Sequence, residues 1–250
     1  MKKTKQVLVG LVTFMSGSLA YAGRVEVAAE TLLAPTVGYE QKNNIQVVLY
    51  GELPNKCYSL DEYQVEKSAD LKTVRVRQYA QREDSGMCAD PVHLPEDWKT
   101  PVPFTTEVSV GHLEVGSVNF IYQRSDRSLG ERVVQVAPNT TLSVDSLPYA
   151  AISNVGVADV INGTRDIQVT LSGVLNSSCT VLDDQVKVDQ ESDVFVLKPT
   201  VKTDRAAKCL QVLVPFTKRV NLGRATAGRY LIHARSMNGR SLNRVVLVSK

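Results

Sequence analysis

The sequence repeats itself over most of its length. The segment IQVVLYGELPNKC, which begins at Ile45, returns as IQVTLSGVLNSSC at Ile167, 122 residues later. A second segment, PFTTEVSVGHLEVGSV, begins at Pro103 and returns as PFTKRVNLGRATAGRY at Pro215, at an offset of 112 residues. The tripeptide RVV occurs once in each copy and keeps that second offset. Matching blocks in the same order predict two homologous domains in tandem.

The first 22 residues have the pattern of a secretory signal peptide. Three lysines lie among the first five residues, a short apolar stretch covers 7–19, and Ala20-Tyr21-Ala22 supplies the small residues of a cleavage site. The apolar stretch is too short for a membrane span, which needs about 20 apolar residues. No second stretch qualifies. We expect a bacterial precursor whose mature part is soluble and either periplasmic or secreted.

The four cysteines fit export. Cys57 and Cys88 are separated by 31 residues, and Cys179 and Cys209 by 30. The matching spacings select one connectivity of the three that four cysteines allow, with one disulfide in each repeat. Each bridge would close a loop of about 30 residues, worth roughly 3 to 4 kcal/mol in the chain-entropy account. Because the chain has no C-x-x-C motif and its histidines show no ligand spacing, we predict no metal and no cofactor.

Apolar residues alternate with polar ones in short runs, as in the run that begins at Ile45 and in 74–77. The run 194–196 is interpreted in the same way. A period of two is typical of half-buried strands. In the second repeat we predict strands near 154–161, 166–175, 179–189, 193–202, 210–222, 228–236 and 243–249. Seven short strands in about 100 residues match the size and rhythm of an immunoglobulin-like sandwich.

The pattern Cys…Pro-Phe-Thr-x-x-Val-x-Leu-Gly…Ala-Gly-Arg-Tyr at 209–230 resembles the closing half of the Ig-like sandwich repeats of many uncharacterised secreted bacterial proteins. The resemblance covers nearly all the mature chain, counted twice, and implies an all-β fold of two tandem Ig-like β-sandwich domains. Its residues are structural: Gly223 and Gly228 bracket a turn, and Tyr230 opens the next strand. Antibody-type domains place their cysteines about twice as far apart, with a tryptophan between them, and neither repeat does so.

The predicted boundaries are a signal peptide at 1–22, a first domain at 23–140 and a second domain at 141–250, with the joint near 137–147. Residues 23–146 carry 12 basic and 18 acidic side chains, whereas residues 147–250 carry 14 and 8. Such a dipole could order the domains, orient the molecule at a surface or promote head-to-tail self-association. We favour simple divergence between the copies. Basic residues without interleaved aromatics do not predict nucleic-acid binding.

The sequence offers little for catalysis. None of the three histidines, His93, His112 and His233, occupies an equivalent place in both copies. No G-x-S-x-G, H-E-x-x-H or phosphate-binding glycine loop is present. The acidic pairs Asp61-Glu62 and Asp183-Asp184 follow the first cysteine of each repeat and could bind Ca²⁺, but we interpret them as solvated strand or turn residues. We predict that the chain is not an enzyme.

One difference between the copies points to binding. Fifteen residues separate Cys88 from Pro103, whereas six separate Cys209 from Pro215. The additional segment, 89–100, holds the only tryptophan of the chain, and tryptophan is enriched among interface anchors. The binding hypothesis names four residues of this segment, His93, Glu96, Asp97 and Trp98. The alternative is that Trp98 folds back over its own domain or against the second.

Three functions remain open at this stage. We favour a non-enzymatic binding or structural module with a protein or glycan partner in the cell envelope. The alternatives are a periplasmic pilus-assembly-type chaperone, which would work through strand donation, and an Ig-like protease inhibitor that acts through the 89–100 loop.

Overall fold

The computed structural model describes residues 23–84, 86–158, 166–204 and 208–249. The predicted signal peptide, 1–22, lies outside the described residues. Within these ranges the chain is built from strands, with three short helices, and both predicted disulfides are formed. The prediction of two all-β sandwiches, each with one internal disulfide, is confirmed. No helix in the described ranges has the length and apolar content that a bilayer crossing requires.

The first repeat forms a sandwich of a six-stranded and a three-stranded sheet. Its strands are β1 (Arg24–Val27), β2 (Ala29–Leu33), β3 (Tyr39–Glu40), β4 (Ile45–Leu53), β5 (Tyr58–Lys67), β6 (Thr73–Arg82), β7 (Val102–Gly111), β8 (Gly116–Gln123) and β9 (Leu129–Ala137). Between β6 and β7 lie the 3₁₀ helices Gly86–Ala89 and Pro91–His93 and the single helical turn α1 (Glu96–Lys99). The three-stranded sheet has the order β2-β4-β7, and the other holds the remaining strands.

The second repeat follows the same plan with shorter middle strands. Its strands are β10 (Ala151–Ala158), β11 (Asp166–Leu175), β12 (Thr180–Leu182), β13 (Lys187–Gln190), β14 (Val194–Lys198), β15 (Val201–Thr203), β16 (Val214–Arg224), β17 (Gly228–Ser236) and β18 (Arg240–Val248). The main sheets are β10-β11-β16 and β13-β14-β17-β18, and β12 pairs with β15. The predicted strand 193–202 divides at Pro199, which lacks the N–H that a strand ladder needs.

The two copies use the same strand register. Gly51 lies opposite Phe104 in the β4–β7 pair, and the equivalent Gly173 lies opposite Phe216 in the β11–β16 pair. A Cβ atom on Gly51 would lie 2.8 Å from the Phe104 ring, and one on Gly173 would lie 2.9 Å from the Phe216 ring. The repeated glycine therefore makes room for the repeated phenylalanine. The other main sheet of each sandwich contains a parallel pair, β6–β8 in the first and β14–β17 in the second, whereas Ig sheets are antiparallel.

The sandwiches pack against each other through the sheets that hold β4 and β14. A buried apolar cluster joins Leu33 and Val48 of the first sandwich to Val194, Val196 and Leu231 of the second. The neighbouring positions of β14 point into the core of the second sandwich. Strand β14 is therefore buried on both faces, and the prediction that 194–196 is half-buried is wrong. A continuous apolar run is what a strand covered on both sides requires.

Charged side chains surround this apolar contact. Arg132 of β9 lies 3.5 Å from Glu191 and 3.0 Å from Asp193, and all three side chains are largely withdrawn from water. On the other side, the guanidinium of Arg229 lies 3.2 Å from the ring centroid of Tyr50. Arg229 also lies 3.2 Å from Glu30 of the first sandwich. Each sandwich therefore supplies an arginine to carboxylates of the other, so the interface uses local complementarity rather than the overall dipole.

A fully buried arginine and histidine lie side by side on β17 and face the first sandwich. Arg235 donates to the carbonyl of Gly38 at 2.8 Å and lies 3.2 Å from Asp145. His233 lies edge-on to the ring of Tyr39, with 5.2 Å between ring centroids. The guanidinium also lies 5.1 Å from the ring centroid of Tyr149. Because Gly38 and Asp145 lie outside the second sandwich core, this arginine ties the second repeat to the first repeat and the joint.

The connection between the repeats is held by both sandwiches. The Oε2 atom of Glu40 accepts hydrogen bonds from the Ser146 N–H at 2.8 Å and the Asn139 side chain at 3.0 Å. The Asp145 carboxylate accepts from the Gly239 N–H at 3.0 Å. The joint is thus fixed by hydrogen bonds and does not act as a free linker.

The packing places the two disulfides at opposite ends of the molecule. Tyr50, late in β4, meets Arg229 at the start of β17, whereas the Asn44 N–H, before β4, donates to the Gly239 carbonyl beyond the end of β17. Strands β4 and β17 therefore run in opposite directions across the interface. Cys57 follows the end of β4. In the second sandwich the Met237 N–H donates to the Ala150 carbonyl. The end of β17 therefore lies next to the end of β11, which comes shortly before Cys179 in the sequence. The second disulfide thus lies near the end of β17, and the first lies near its start.

The buried histidine predicts a pH-dependent loss of stability. Burial, with help from the charge of Arg235, lowers the pKa of His233 from its ordinary value of 6.5 to about 3. Between these pH values the unfolded chain binds a proton that the folded chain does not. The stability that is present above pH 6.5 is therefore lost as the pH falls, by roughly 1 kcal/mol per pH unit.

We expect the variant His233→Gln to lose less unfolding free energy than the wild type between pH 6.5 and 4.5, measured by urea denaturation. The control is His93→Gln, which removes an exposed histidine. A wild-type slope unchanged by His233→Gln would contradict the assignment.

Candidate functional site

The segment between Cys88 and Pro103 covers the first disulfide. Leu94 and Trp98 of this segment pack against the cysteine pair. Cys57 and Cys88 are only 3% and 1% exposed as a result. Backbone hydrogen bonds hold the segment in place, since the Trp98 carbonyl accepts from the Lys56 N–H at 3.2 Å. We call residues 86–100 the lid, and the end of the first sandwich that it covers the closed end.

The structure separates the four residues of the binding hypothesis. Trp98 is half-buried and faces its own disulfide, as the alternative interpretation expected. His93, Glu96 and Asp97 lie on the outer surface, where Glu96 pairs with Lys99 at 2.8 Å. Asp97 pairs with Lys56 at 3.1 Å. The binding hypothesis therefore stays a prediction for all four residues, and in the structure Trp98 also covers the disulfide.

His93 belongs to a local hydrogen-bonded turn. Its Nδ1 lies 2.6 Å from a carboxylate oxygen of Asp90, and the other oxygen accepts from the Val92 N–H at 3.0 Å. The hydrogen bond from His93 lowers the pKa of Asp90. Both side chains are largely exposed, so this pair shapes the lid surface rather than a buried catalytic group.

The corresponding end of the second sandwich has no lid. Cys179 and Cys209 are partly exposed, and residues 210–213, which follow the bridge, belong to no helix or strand. Leu210 and Leu213 are 67% and 72% exposed. We call this end, with Val181, Leu210, Val212 and Leu213, the open end. The strand predicted at 210–222 begins only at Val214, because residues 210–213 pair with no strand among the described residues.

Two adjoining hollows lie beside the open end. The larger has a volume of about 630 Å³ and runs between the joint and the turn after β17. The smaller has a volume of about 150 Å³ and is mainly apolar, with Leu213 and Val174 on its wall. Tyr149, Asn176 and Met237 border both hollows. The apolar surface thus continues from the exposed leucines into a concave region that could receive a side chain.

The other groups considered from the sequence have structural partners. Asp183 lies 2.8 Å from Lys202, and the hydrogen bond from this lysine lowers the pKa of Asp183. Asp61 pairs with Arg24 at 3.0 Å. Among the described residues no group of three or more histidine, cysteine or acidic side chains could hold a metal ion. One aspartate of each acidic pair therefore forms an ion pair with a basic side chain. The geometry of these carboxylates does not favour a calcium site.

The sequence pattern does not predict the open end. Residues 210–214 resemble the start of a strand because they are mostly apolar and precede a clear strand pattern. The length difference between the copies points only to the additional segment of the first copy. The second copy lacks this segment, and its apolar side chains are therefore more exposed.

Residues 169–248 match the family model of the ORF11 beta-sandwich domain. The match runs from within β11 to the end of β18, so the second repeat is similar to that domain over most of its length. No curated protein and no solved structure matches the chain. The comparison supports a β-sandwich at this position and carries no activity, ligand or partner with it.

The unequal covering of the two disulfides predicts unequal reactivity in the folded protein. Because thiols attack an exposed disulfide faster than a buried one, mild reduction should open Cys179–Cys209 before Cys57–Cys88. Alkylation and mass mapping at early times would show the order. In the variant Leu94→Ala, which removes part of the lid packing, the first bridge should open faster while the second keeps its rate. Equal rates for the two wild-type bridges would contradict the covering role of the lid.

Proposed function

We propose that the chain is an exported, non-enzymatic two-domain module of the bacterial cell envelope, periplasmic or secreted, that binds another macromolecule. The observation that carries the proposal is the open end. There, exposed leucines adjoin a partly exposed disulfide and a concave apolar wall, whereas the first repeat covers the equivalent bridge with its own lid. A contiguous exposed apolar surface on a folded domain typically marks an interaction site.

The chemistry of this surface favours a protein over a glycan. Leu210, Val212 and Leu213 present aliphatic side chains, which gain free energy when another apolar surface removes them from water. A glycan would offer mostly hydroxyl groups, with which these aliphatic side chains form no hydrogen bonds. Of the two partner classes expected from the sequence, a protein with an apolar contact surface is the better supported.

The disulfides support the proposed location. Both bridges are formed within single repeats, and such bridges persist in oxidising compartments such as the periplasm or the extracellular space. The class-level resemblance to tandem Ig-like repeats of secreted bacterial proteins points in the same direction and belongs to this proposal.

The roles found for the titratable groups support a non-enzymatic module. His112 hydrogen-bonds the backbone carbonyl of Asn43 at 3.0 Å, and the Nδ1–H of buried His233 donates to Asn243 at 2.8 Å. These histidines serve structure in the parts of the chain that are described.

The two alternative functions have less support. Strand donation needs an accessible sheet edge, but edge strand β16 places Lys218 on its inward-facing side, where the ammonium donates to the Asp184 carbonyl at 2.7 Å. An inward-pointing charge on an edge strand opposes pairing with another strand. A protease inhibitor would present an extended loop, whereas the lid is folded into short helices against its disulfide.

The test is a comparison of proteins captured from an envelope extract by the wild type and by the open-end variant, Leu210→Asp with Leu213→Asp. Because both leucines are exposed, the variant should keep the wild-type melting temperature within a few degrees. We expect it to lose the captured proteins. The control is Leu247→Asp, at a leucine of β18 that is 69% exposed. Identical capture by wild type and open-end variant would contradict the proposal.

A further inference from the structure

The closed and open ends differ in shape but both expose apolar side chains. Met87 and Val92, on the outside of the lid, are 53% and 76% exposed. The Val92 N–H donates to the carboxylate of Asp90 in the lid. The open end presents Leu210 and Leu213 next to a hollow. One end therefore exposes apolar side chains on the lid, and the other exposes leucines beside an apolar hollow.

The two ends point in opposite directions. The two disulfides lie at opposite ends of the molecule because β4 and β17 run antiparallel across the interface. Two different apolar surfaces at opposite ends allow one copy to contact the next in a row. A contact between two different surfaces of the same chain is heterologous, and it continues into a chain of copies unless the rotation closes a ring.

The charge distribution favours the same arrangement. Residues 23–146 hold 12 basic and 18 acidic side chains, and residues 147–250 hold 14 and 8. The first sandwich is therefore negative and the second positive. Copies aligned head to tail bring the negative sandwich of one next to the positive sandwich of another, whereas a symmetric contact between like ends brings equal charges together.

Two edge strands, one on each sandwich, oppose association through their edges. On β16, Lys218 points inward as described. On β7, the edge strand of the equivalent sheet, the Ser109 N–H donates to the hydroxyl of Tyr63 at 3.3 Å. A side chain thus occupies an edge donor that a second copy would need. The ends are therefore better suited to association than these two edges.

We propose that the open end of one copy binds the closed end of a second copy, so that the chain associates head to tail. The inference rests on the proposed function of the open end and names its occupant, a second copy whose lid brings Met87 and Val92 against Leu210 and Leu213. The contact joins apolar surfaces and brings domains of opposite net charge together.

Sedimentation velocity of the purified, oxidised chain tests the proposal. The wild type should sediment faster as its concentration rises, and added salt should weaken this association because salt screens the charge attraction. The open-end variant, Leu210→Asp with Leu213→Asp, and a closed-end variant, Val92→Arg, should each show an association constant lower by roughly tenfold or more. Val133→Asp, on an exposed mid-strand position of β9, should associate like the wild type.

An equimolar mixture of the two end variants gives the decisive result. Each variant keeps one intact end, so the mixture should form a dimer of one copy of each and no longer species. A wild type that stays monomeric, a mixture that stays monomeric while the wild type associates, or equal loss of association in Val133→Asp would overturn the proposal. If the wild type is monomeric but the open-end variant loses envelope proteins that the wild type captures, only the second copy as occupant is wrong, and the proposed function stands.

Discussion

The contact between the two inner sheets is the feature on which the rest of the molecule depends. Apolar side chains from β2 and β4 meet side chains from β14 and β17, so four sheets are stacked in series. This contact explains why β14 is apolar on both faces. It also explains how β17 can carry a buried arginine and histidine, because Arg235 finds its partners, Gly38 and Asp145, outside its own sandwich. Without the contact both groups would face water.

The same contact gives the molecule its direction. Two copies of one fold are packed so that their disulfide ends point away from each other, and the ends have diverged. The longer segment of the first repeat became a lid with Leu94 and Trp98 inside, while the shorter segment of the second leaves Leu210 and Leu213 outside. Duplication therefore produced a molecule with two different ends, and the proposals on binding and self-association follow from this asymmetry.

Much of the fold could be predicted from the sequence because its signals are local. The alternation that begins at Ile45, the repeated Pro-Phe-Thr blocks and the cysteine spacing each reflect contacts within one repeat. The alignment of the two repeats also matches structurally equivalent positions, because Gly51 and Gly173 lie opposite equivalent phenylalanines. The strands predicted at 166–175 and 228–236 have the observed bounds.

The contacts between repeats could not be predicted in the same way. The run Val194-Phe195-Val196 gives no sign of what covers its second face, because a strand pattern records burial but not the covering partner. The segment 210–213 has the composition of a strand, yet strand formation needs a neighbour to pair with, and the described chain supplies none. For Trp98, composition alone could not decide between an outward anchor and an inward cover; the position of the disulfide beneath it decides.

Hydrogen exchange followed by mass spectrometry, in a series of urea concentrations below the unfolding transition, tests the central contact most directly. If the inner sheets join the sandwiches into one cooperative unit, the amides of β8 in the first sandwich and of β17 in the second should become exchangeable in a single step, at the same urea concentration. Exchange of one sandwich at clearly lower urea, while the other stays protected, would show that the repeats unfold independently and would contradict the account.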